Sequence, residues 1–402
     1  MTGALPYAGL RVLDLSQGIA GPSSASMLAR LGAEVVKVEP LTGDWGRLMG
    51  GGRDGMTALS IWANLGKRSV CVDARSSAGR ELLLRMSGEA DVLVESFRPG
   101  VVERLGLGYD GVAAHNPRVV YASVSGFGSA GPYRDEPATD SILQAVSGMM
   151  AMNRDAQGTP RRVGMLLVDV AAGVYVAHAI AAALLQRAAT GRGRHLLLSL
   201  LEVTAALQAH PILDAAMHPG GAPPPVTVPS GTFRTADGLV NLAALRDEMF
   251  FALGRAIGHP EWEAEPAYRT NDLRRERAAE INAAIQRALV EEPTERWVER
   301  FRAADVLCAP VLDYAGFRAH PQVLHERLFS LLEQPGSGAV PIAGLPGFGA
   351  VPPAPAPRMG EHTAEVLRSY GLDAAEVARL ESAGVIRLDR PSGGHPGHAT
   401  PA

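Results

Sequence analysis

The chain has 402 residues, 47% of them hydrophobic and 20% charged, with a formal net charge of -4. At about 150 residues per domain, this length predicts two or three folded units of ordinary soluble composition. The small negative charge comes with no Lys/Arg block, which excludes nucleic acid as an expected partner, because phosphate binding needs concentrated positive charge.

Two cysteines, Cys71 and Cys308, stand far apart and outside any metal-ligand spacing. Neither a disulfide framework nor a metal site is expected, and a cytoplasmic location suits the free thiols. The opening "MTGALPYAGLRVLDLS" shows no basic segment followed by an apolar one, so no secretory signal is expected from it.

From there the first 125 residues alternate β-rich runs ("LRVLDLS", "AEVVKVE", "SVCVDA", "DVLVES", "RVVYASVSGFG") with helical stretches ("SSASMLARLG", "GRELLLRMSGEA"). That alternation predicts a parallel sheet with crossover helices, a doubly wound α/β domain. A helix is expected near Gln144–Met150 and another from Asp169 to Arg187, closed by the glycines of "TGRGR". "LLLSLLEVTAALQA" follows, a strand running into a helix. "HPGGAPPPVTVPSG" (218–231) reads as a linker, since three prolines flanked by glycines forbid regular structure.

Beyond it, "GTFRTADGLVNLAAL" reads as a hairpin turning at Asp237-Gly238, and three amphipathic stretches complete a smaller α+β unit. A second irregular stretch is expected over 333–360, then a helix with Thr363 as cap, then a disordered tail. The expected division is a large domain over 1–217, a linker over 218–231, a small domain over 232–325, a return to the large domain over 326–388, and the tail over 389–402.

Several loops have side chains suited to chemistry. "SQGIAGPSSASM" (16–27) is a glycine-bearing turn into a helix N-terminus, whose N–H groups and dipole favour an anion. Glu39 ends the second strand where a dinucleotide-binding acid would sit, but only Gly18 and Gly21 are present, with Pro22 next, so the three-glycine fingerprint of a nicotinamide site is missing. Arg75 lies between a strand and a helix, where a cation can meet a phosphate; taken alone it is a surface charge. In "VESFRPG", taken alone, Phe97 is a core residue and Arg98 a solvated one. Asp140 opens a helix after a Gly/Pro loop, and either stabilises that helix or serves a site. His178 and His210, on apolar helical stretches, read as core histidines.

"VGMLLVDVAAGVYVAHAIAAALLQ" (163–186) carries one carboxylate, Asp169, in an apolar run too rich in Ala and Gly for a membrane span, so no membrane partner is expected. A buried unpaired carboxylate costs several kcal/mol or takes up a proton, so Asp169 is partnered, solvent-reached or chemically employed.

Nine segments in order resemble the family III coenzyme A transferases: "GLRVLDLS...AGP", "LGAEVVKVEP", "NLGKRS", "VESFRPG", "NPRVVYASVSGFG..GPY", "VDVAAG", "TGRGR...SLLE", "CAPV" and "GEHTAEVL". The resemblance implies an interlocked, ring-like homodimer and a covalent transfer of CoA from a thioester to a carboxylic acid. It implies acyl-CoA and acid as the small-molecule partners and no permanently bound cofactor. By the same resemblance, Asp169 is the nucleophile, Gly18, Ile19 and Ala20 run along the pantetheine, and Arg75 and Arg104 meet the phosphates. Ser96 and Phe97 then lie against the adenine or pantetheine, and Thr139 and Asp140 border the acid pocket. A helix start at Asp169 is expected to keep its carboxylate ionised. The chain departs from the family's usual residues at Ile19, Pro40 and Ser96.

Two other readings stay open. The racemases of 2-methylacyl-CoA share the fold and the position of Asp169, but Thr139 stands where they resemble a proton-carrying histidine, and threonine cannot exchange a proton near neutral pH. A non-catalytic CoA-ester-binding relative is the third. Ile19, "MMAM" (149–152) and "VGMLL" suggest an acid pocket more apolar than oxalate needs, and a medium-sized or branched dicarboxylic or aromatic acid as acceptor.

Overall fold

A computed structural model describes residues 5–53, 55–155, 157–219, 225–349 and 353–389. It divides into two compact units, residues 1–209 with 327–402, and residues 210–326.

In the first unit, short valine- and leucine-rich runs form the strands, and the glycines and polar residues between them turn the chain into helices. Along the chain come β1 (Arg11–Asp14), α1 (Ala20–Arg30), β2 (Glu34–Glu39), the small hairpin β3 (Gly52–Arg53) and β4 (Met56–Thr57), α2 (Ala58–Asn64) and β5 (Arg68–Val72). Next are α3 (Ser77–Gly88), β6 (Val92–Glu95), α4 (Val101–Arg104), α5 (Tyr109–His115), β7 (Val120–Ser125), α6 (Asp140–Val146) and α7 (Met149–Met152). The long α8 (Leu167–Thr190), β8 (Arg194–Ser199), α9 (Leu200–Leu207) and α10 (Ala209–Met217) follow. Gly191, at φ +72°, ends α8 where "TGRGR" was expected to end it.

Seven strands form one sheet in the order β14-β5-β2-β1-β6-β7-β8, parallel except for β14 (Ile386–Arg387), which pairs antiparallel to β5. Its central strands are apolar on both faces, as strands covered on both sides must be. Leu13, Val36, Val70, Leu93 and Tyr121 pack with residues of α3, α5, α17 (Thr363–Ser369) and α18 (Ala374–Ser382). Val12, Val35, Val92, Val94 and Val120 pack with α1 and α8 on the other face. The doubly wound parallel sheet expected from the sequence is present.

The inward stripe of α8 (Val168, Ala172, Val176, Ile180, Ala183) belongs to this core, although the helix is long and apolar enough to cross a bilayer. Beyond that stripe only Gly173 and Arg187 of the helix are buried. His178 points to the open face and His210 is also exposed, so neither is a core histidine.

The second unit is an antiparallel sheet, β11-β10-β9, built from β9 (Ser230–Arg234), β10 (Leu239–Ala243) and β11 (Leu307–Pro310). Its core joins Phe233, Val240 and Leu242 to α11 (Asp247–Ala256), α13 (Ala278–Leu289) and α14 (Thr294–Ala303). Helices α12 (Asn271–Glu276), α15 (Tyr314–Ala319) and α16 (Pro321–His325) complete it. The Asp237-Gly238 turn forms, with Thr235 N donating to Gly238 O at 3.0 Å.

Four boundaries differ from the sequence reading. The first unit ends at residue 209 rather than 217, because α10 buries no side chain and adds nothing to a core. The linker gives way before 231: Val228 is already in the second unit's core, and β9 starts at Ser230, while 220–224 lie outside the described residues. The stretch 333–360 is not wholly irregular, since β12 (Phe329–Gln334) pairs with β13 (Gly338–Ala343), and a two-stranded ribbon tolerates Pro341 at its edge. Thr363 is the first residue of α17, not its cap, and its hydroxyl accepts from Cys71 N at 3.1 Å. Of the expected tail, Asp389 accepts from Arg358 at 2.8 Å and 390–402 lie outside the described residues.

Candidate active site

Strand order reverses at β1: β2 and β5 lie on one side, β6, β7 and β8 on the other. Crossovers leaving in opposite directions open a crevice at the carboxyl ends of β1 and β6, the place where open α/β sheets hold ligands. Ser96, just after β6, closes its floor. Its hydroxyl accepts from Gln17 N at 2.9 Å and donates to Gln17 O at 3.2 Å, fixing the turn after β1.

That turn needs Gly18. Its φ is +81°, and a Cβ there would stand 2.1 Å from Cζ2 of Trp45. Ile19 is the N-cap of α1 and offers no side-chain cap, so the first-turn N–H groups have no partner from a capping side chain. Ile19 and Ala20 are themselves buried.

A cavity of about 770 Å³ adjoins this turn, lined among others by Gln17, Trp45, Arg75 and Phe97. Arg75 and Phe97, chosen from separate segments, therefore line the same cavity. Phe97 also lines a second cavity, of about 600 Å³, at the ends of β6, β7 and β8, whose floor is Glu95. Burial pushes the Glu95 carboxyl up to about 7, against hydrogen bonds from Ser123 and the Phe97 amide. Arg104 is exposed and lines neither cavity, although its guanidinium lies close to Gly100 on the rim of the second.

Asp169 is the third residue of α8 and partly buried. A carboxylate in a first helical turn is ordinarily held ionised by the free N–H groups there. Here the sign is the opposite: burial, and then the neighbouring Asp140 carboxylate, push Asp169 up to about 7. The helix N–H groups that would favour the ionised form are taken by Asp140. Asp140 Oδ2 accepts from Val168 N at 2.7 Å and from Asp169 N at 3.2 Å, while the N-cap residue Leu166 has no side chain to do so.

Asp140 thus caps α8 although it is the first residue of α6, whose own cap is Thr139. Gln144, one turn along α6, donates to Asp140 Oδ1 at 2.6 Å and accepts from Val163 N at 2.8 Å, tying the approach to α8 in place. Thr139 is exposed and Asp140 buried.

Asp169, Thr139 and Asp140 line neither cavity; they form a cluster joined to the crevice by helix packing. Gly173, one turn beyond Asp169, is where α1 crosses α8: a Cβ there would stand 2.2 Å from Ser23 Oγ and 3.3 Å from Ala20 O. The starts of α1 and α8 are therefore neighbours, and the backbone of Ile19 and Ala20 lies on the same side of the sheet as Asp169. Among the described residues no group of His, Cys, Asp or Glu is arranged to hold a metal ion.

Asp169 at the start of α8, which packs on α1, and a 770 Å³ cavity lined by Arg75, Trp45 and Phe97 are features of the same sheet domain. The sequence matches the family described as CoA-transferase family III over residues 7–363. This chain belongs to that family. It is a CoA-transferase by class.

Among its relatives, the acetyl-CoA:oxalate CoA-transferase of Acetobacter aceti is 36% identical over 79% of this chain and 83% of its own length. The human succinyl-CoA:glutarate CoA-transferase is 31% identical over 96% of this chain and 91% of its own. A crystal structure of Rv3272 from Mycobacterium tuberculosis superposes with a TM-score of 0.81 at 31% identity, over 90% of this chain and 99% of that one. A CAIB/BAIF family protein from Brucella suis gives 0.81 at 28% identity, over 92% of this chain and all of that one.

Sequence reasoning missed Trp45, Asp44, Lys37, Lys67, Glu95 and Gln144. For Lys37 a signal existed, a charge between valines in the middle of a strand; Lys67, next to Arg68 at the start of β5, carried none.

Proposed function

We propose that this CoA-transferase moves CoA from an acyl-CoA donor to a carboxylic acid acceptor through Asp169. The carboxylate attacks the acyl carbon of the donor, expelling CoA thiolate and forming a mixed anhydride. The thiolate attacks the Asp169 carbonyl of that anhydride, releasing the donor acid and leaving an aspartyl-CoA thioester. The acceptor carboxylate attacks this thioester to give a second anhydride and the thiolate again, which attacks the acceptor's carbonyl, forms the new acyl-CoA and frees Asp169. Covalent catalysis of this kind divides one difficult exchange into steps between species of similar group-transfer potential.

The observation that carries the reading is Asp169 at the start of α8, packed beside the uncapped start of α1. The reading assigns the N–H groups of that first turn to the oxyanion, and a carboxylate held near 7 is a stronger nucleophile once ionised than an ordinary one. Arg75 and Phe97, on the wall of the 770 Å³ cavity, are assigned to the CoA nucleotide and pantetheine, with Gly18, Ile19, Ala20 and Ser96 along the thioester arm. Arg104 takes a phosphate from the rim. The Thr139 hydroxyl does not titrate near neutral pH, and both Asp140 oxygens are occupied by N–H donors, which disfavours racemisation.

A homodimer is part of the proposal. Leu185, Leu197, Ile212, Leu213, Met217 and Tyr314 are 50% to 87% exposed, apolar surface of the kind a second copy covers. The free thiols Cys71 and Cys308 suit a cytoplasmic setting.

The test is intact-mass spectrometry of enzyme mixed with succinyl-CoA and then trapped with hydroxylamine or borohydride, with peptide mapping. A modification at Asp169 that is lost in Asp169→Ala supports the reading, and an unmodified enzyme that still turns over sinks it.

A further inference from the structure

Two of the segments that resemble the family, "LGAEVVKVEP" and "NLGKRS", have no place in the chemistry above. One lysine from each, Lys37 and Lys67, reaches the turn after β1. Lys67 Nζ, wholly buried, donates to Asp14 Oδ2 at 2.7 Å, to Pro22 O at 2.7 Å and to Asn64 Oδ1 at 2.9 Å. Lys37 Nζ, also buried, donates to Ser16 O and pairs with Asp44 Oδ2 at 2.8 Å. Asp44 Oδ1 in turn accepts from Gly18 N at 2.9 Å and Gly46 N at 2.8 Å. Asp14 completes the set by accepting from Ser16 N at 3.0 Å.

The turn is therefore held from below at Ser16, Gly18 and Pro22, and from the side at Gln17 by Ser96. What remains is the stretch from Ile19 to Gly21, whose N–H groups have no hydrogen-bond acceptor among the described residues. Burying two lysines and two aspartates is costly unless each is paired, and replacing such a set with apolar residues is often neutral or better for stability. A purely structural device would not need it.

We infer that Lys67 is a positioning residue for acyl transfer, holding the first turn of α1 by its carbonyl so that the N–H groups of Ile19–Gly21 stay aimed at the reacting carbonyl. The inference rests on the reading of Asp169 as nucleophile. It also has a signature in pH. Burial, opposed by Asp14 and reinforced by Lys37, brings Lys67 down to about 8. The charged groups acting on it are Asp14 on β1, Lys37 on β2 and Asp44 on the loop after β2. As the pH passes 8, Lys67 gives up its charge and its grip on Asp14 and Pro22 weakens, so turnover falls on the alkaline side.

The experiment compares full-length wild type, Lys67→Met, Lys67→Arg and the charge-balanced pair Asp14→Asn with Lys67→Met. Steady-state acyl transfer is measured from pH 6 to pH 10, with thermal melts as the check on folding. The expected result is a tenfold or larger fall in kcat for the methionine variants, with KM for the acyl-CoA changed less, an alkaline limb lost in them, and partial recovery in Lys67→Arg. If Lys67→Met fails to fold, the charge-balanced pair gives the reading. A folded variant with wild-type kcat and an unchanged alkaline limb overturns the inference. Trapping the aspartyl thioester on wild type separates the two claims: without it the nucleophile reading fails, and with it an unaffected Lys67 variant refutes the positioning role alone.

Discussion

With Asp169 raised to about 7 by burial and by Asp140, catalysis has an acid limb that the chain's own carboxylates explain. The nucleophile is the ionised form. For a group titrating near 7, about one carboxylate in eleven is ionised at pH 6 and about ten in eleven at pH 8, so kcat/KM for the acyl-CoA rises about tenfold across that interval. Asp140→Asn removes the charge but keeps an oxygen to accept the Val168 and Asp169 N–H groups. Burial still holds Asp169 above the ordinary range, so the midpoint falls without returning to a surface value. A fall of one unit would raise the rate at pH 6 about fivefold. The new amide faces Gln144 Nε2, which must turn over and give up Val163 N, a loss of about 1 kcal/mol of stability.

Glu95 also sits near 7, but its causes are burial, Ser123, Phe97 and Glu103, with no contribution from Asp140. The variant therefore identifies the titrating group. The assay is the pH dependence of initial rates at limiting acyl-CoA, in wild type and Asp140→Asn. An acid limb that the variant leaves in place, or moves upward, refutes the argument that Asp140 sets the state of Asp169.

The same shift has a stability consequence. The folded pKa of Asp169 lies above its unfolded value, so the native state binds the extra proton and stability falls as pH rises from about 4 to 7. Asp169→Asn, inactive, is expected to be more stable than wild type at pH 8 by about 1–3 kcal/mol beyond its advantage at pH 5, after allowing for partial exposure. Urea melts at the two pH values check this; equal differences at both would contradict it. Gly173→Ala puts a methyl 2.2 Å from Ser23 Oγ and 3.3 Å from a backbone carbonyl, forcing α1 and α8 apart. We expect a loss of about 1–3 kcal/mol and a larger loss in kcat than in acyl-CoA affinity, read by thermal melts and kinetics. Restoring space with Ser23→Ala should recover part of both, and no recovery would mean the clash lies elsewhere.

Composition and periodicity were sufficient for the sheet, because buried parallel strands must be apolar runs and their crossovers must be helices, and both leave marks within about ten residues of sequence. The turn at Gly18, the hairpin at Asp237-Gly238 and the end of α8 at Gly191 were legible for the same local reason. Asp169 was legible as a lone charge in an apolar run. Its protonation was not. The helix start argued for an ionised carboxylate, and only the fold, by burying Asp169 and bringing the Asp140 carboxylate from α6 beside it, reversed the sign. The cap that Asp140 places on a helix other than its own and the joining of Lys67 to Asp14 under the turn after β1 are contacts between segments 28 and 53 residues apart. Local sequence determines which element a residue belongs to. Which partner its charge meets depends on the packing of elements distant in the chain, and for a buried charge that partner decides the chemistry.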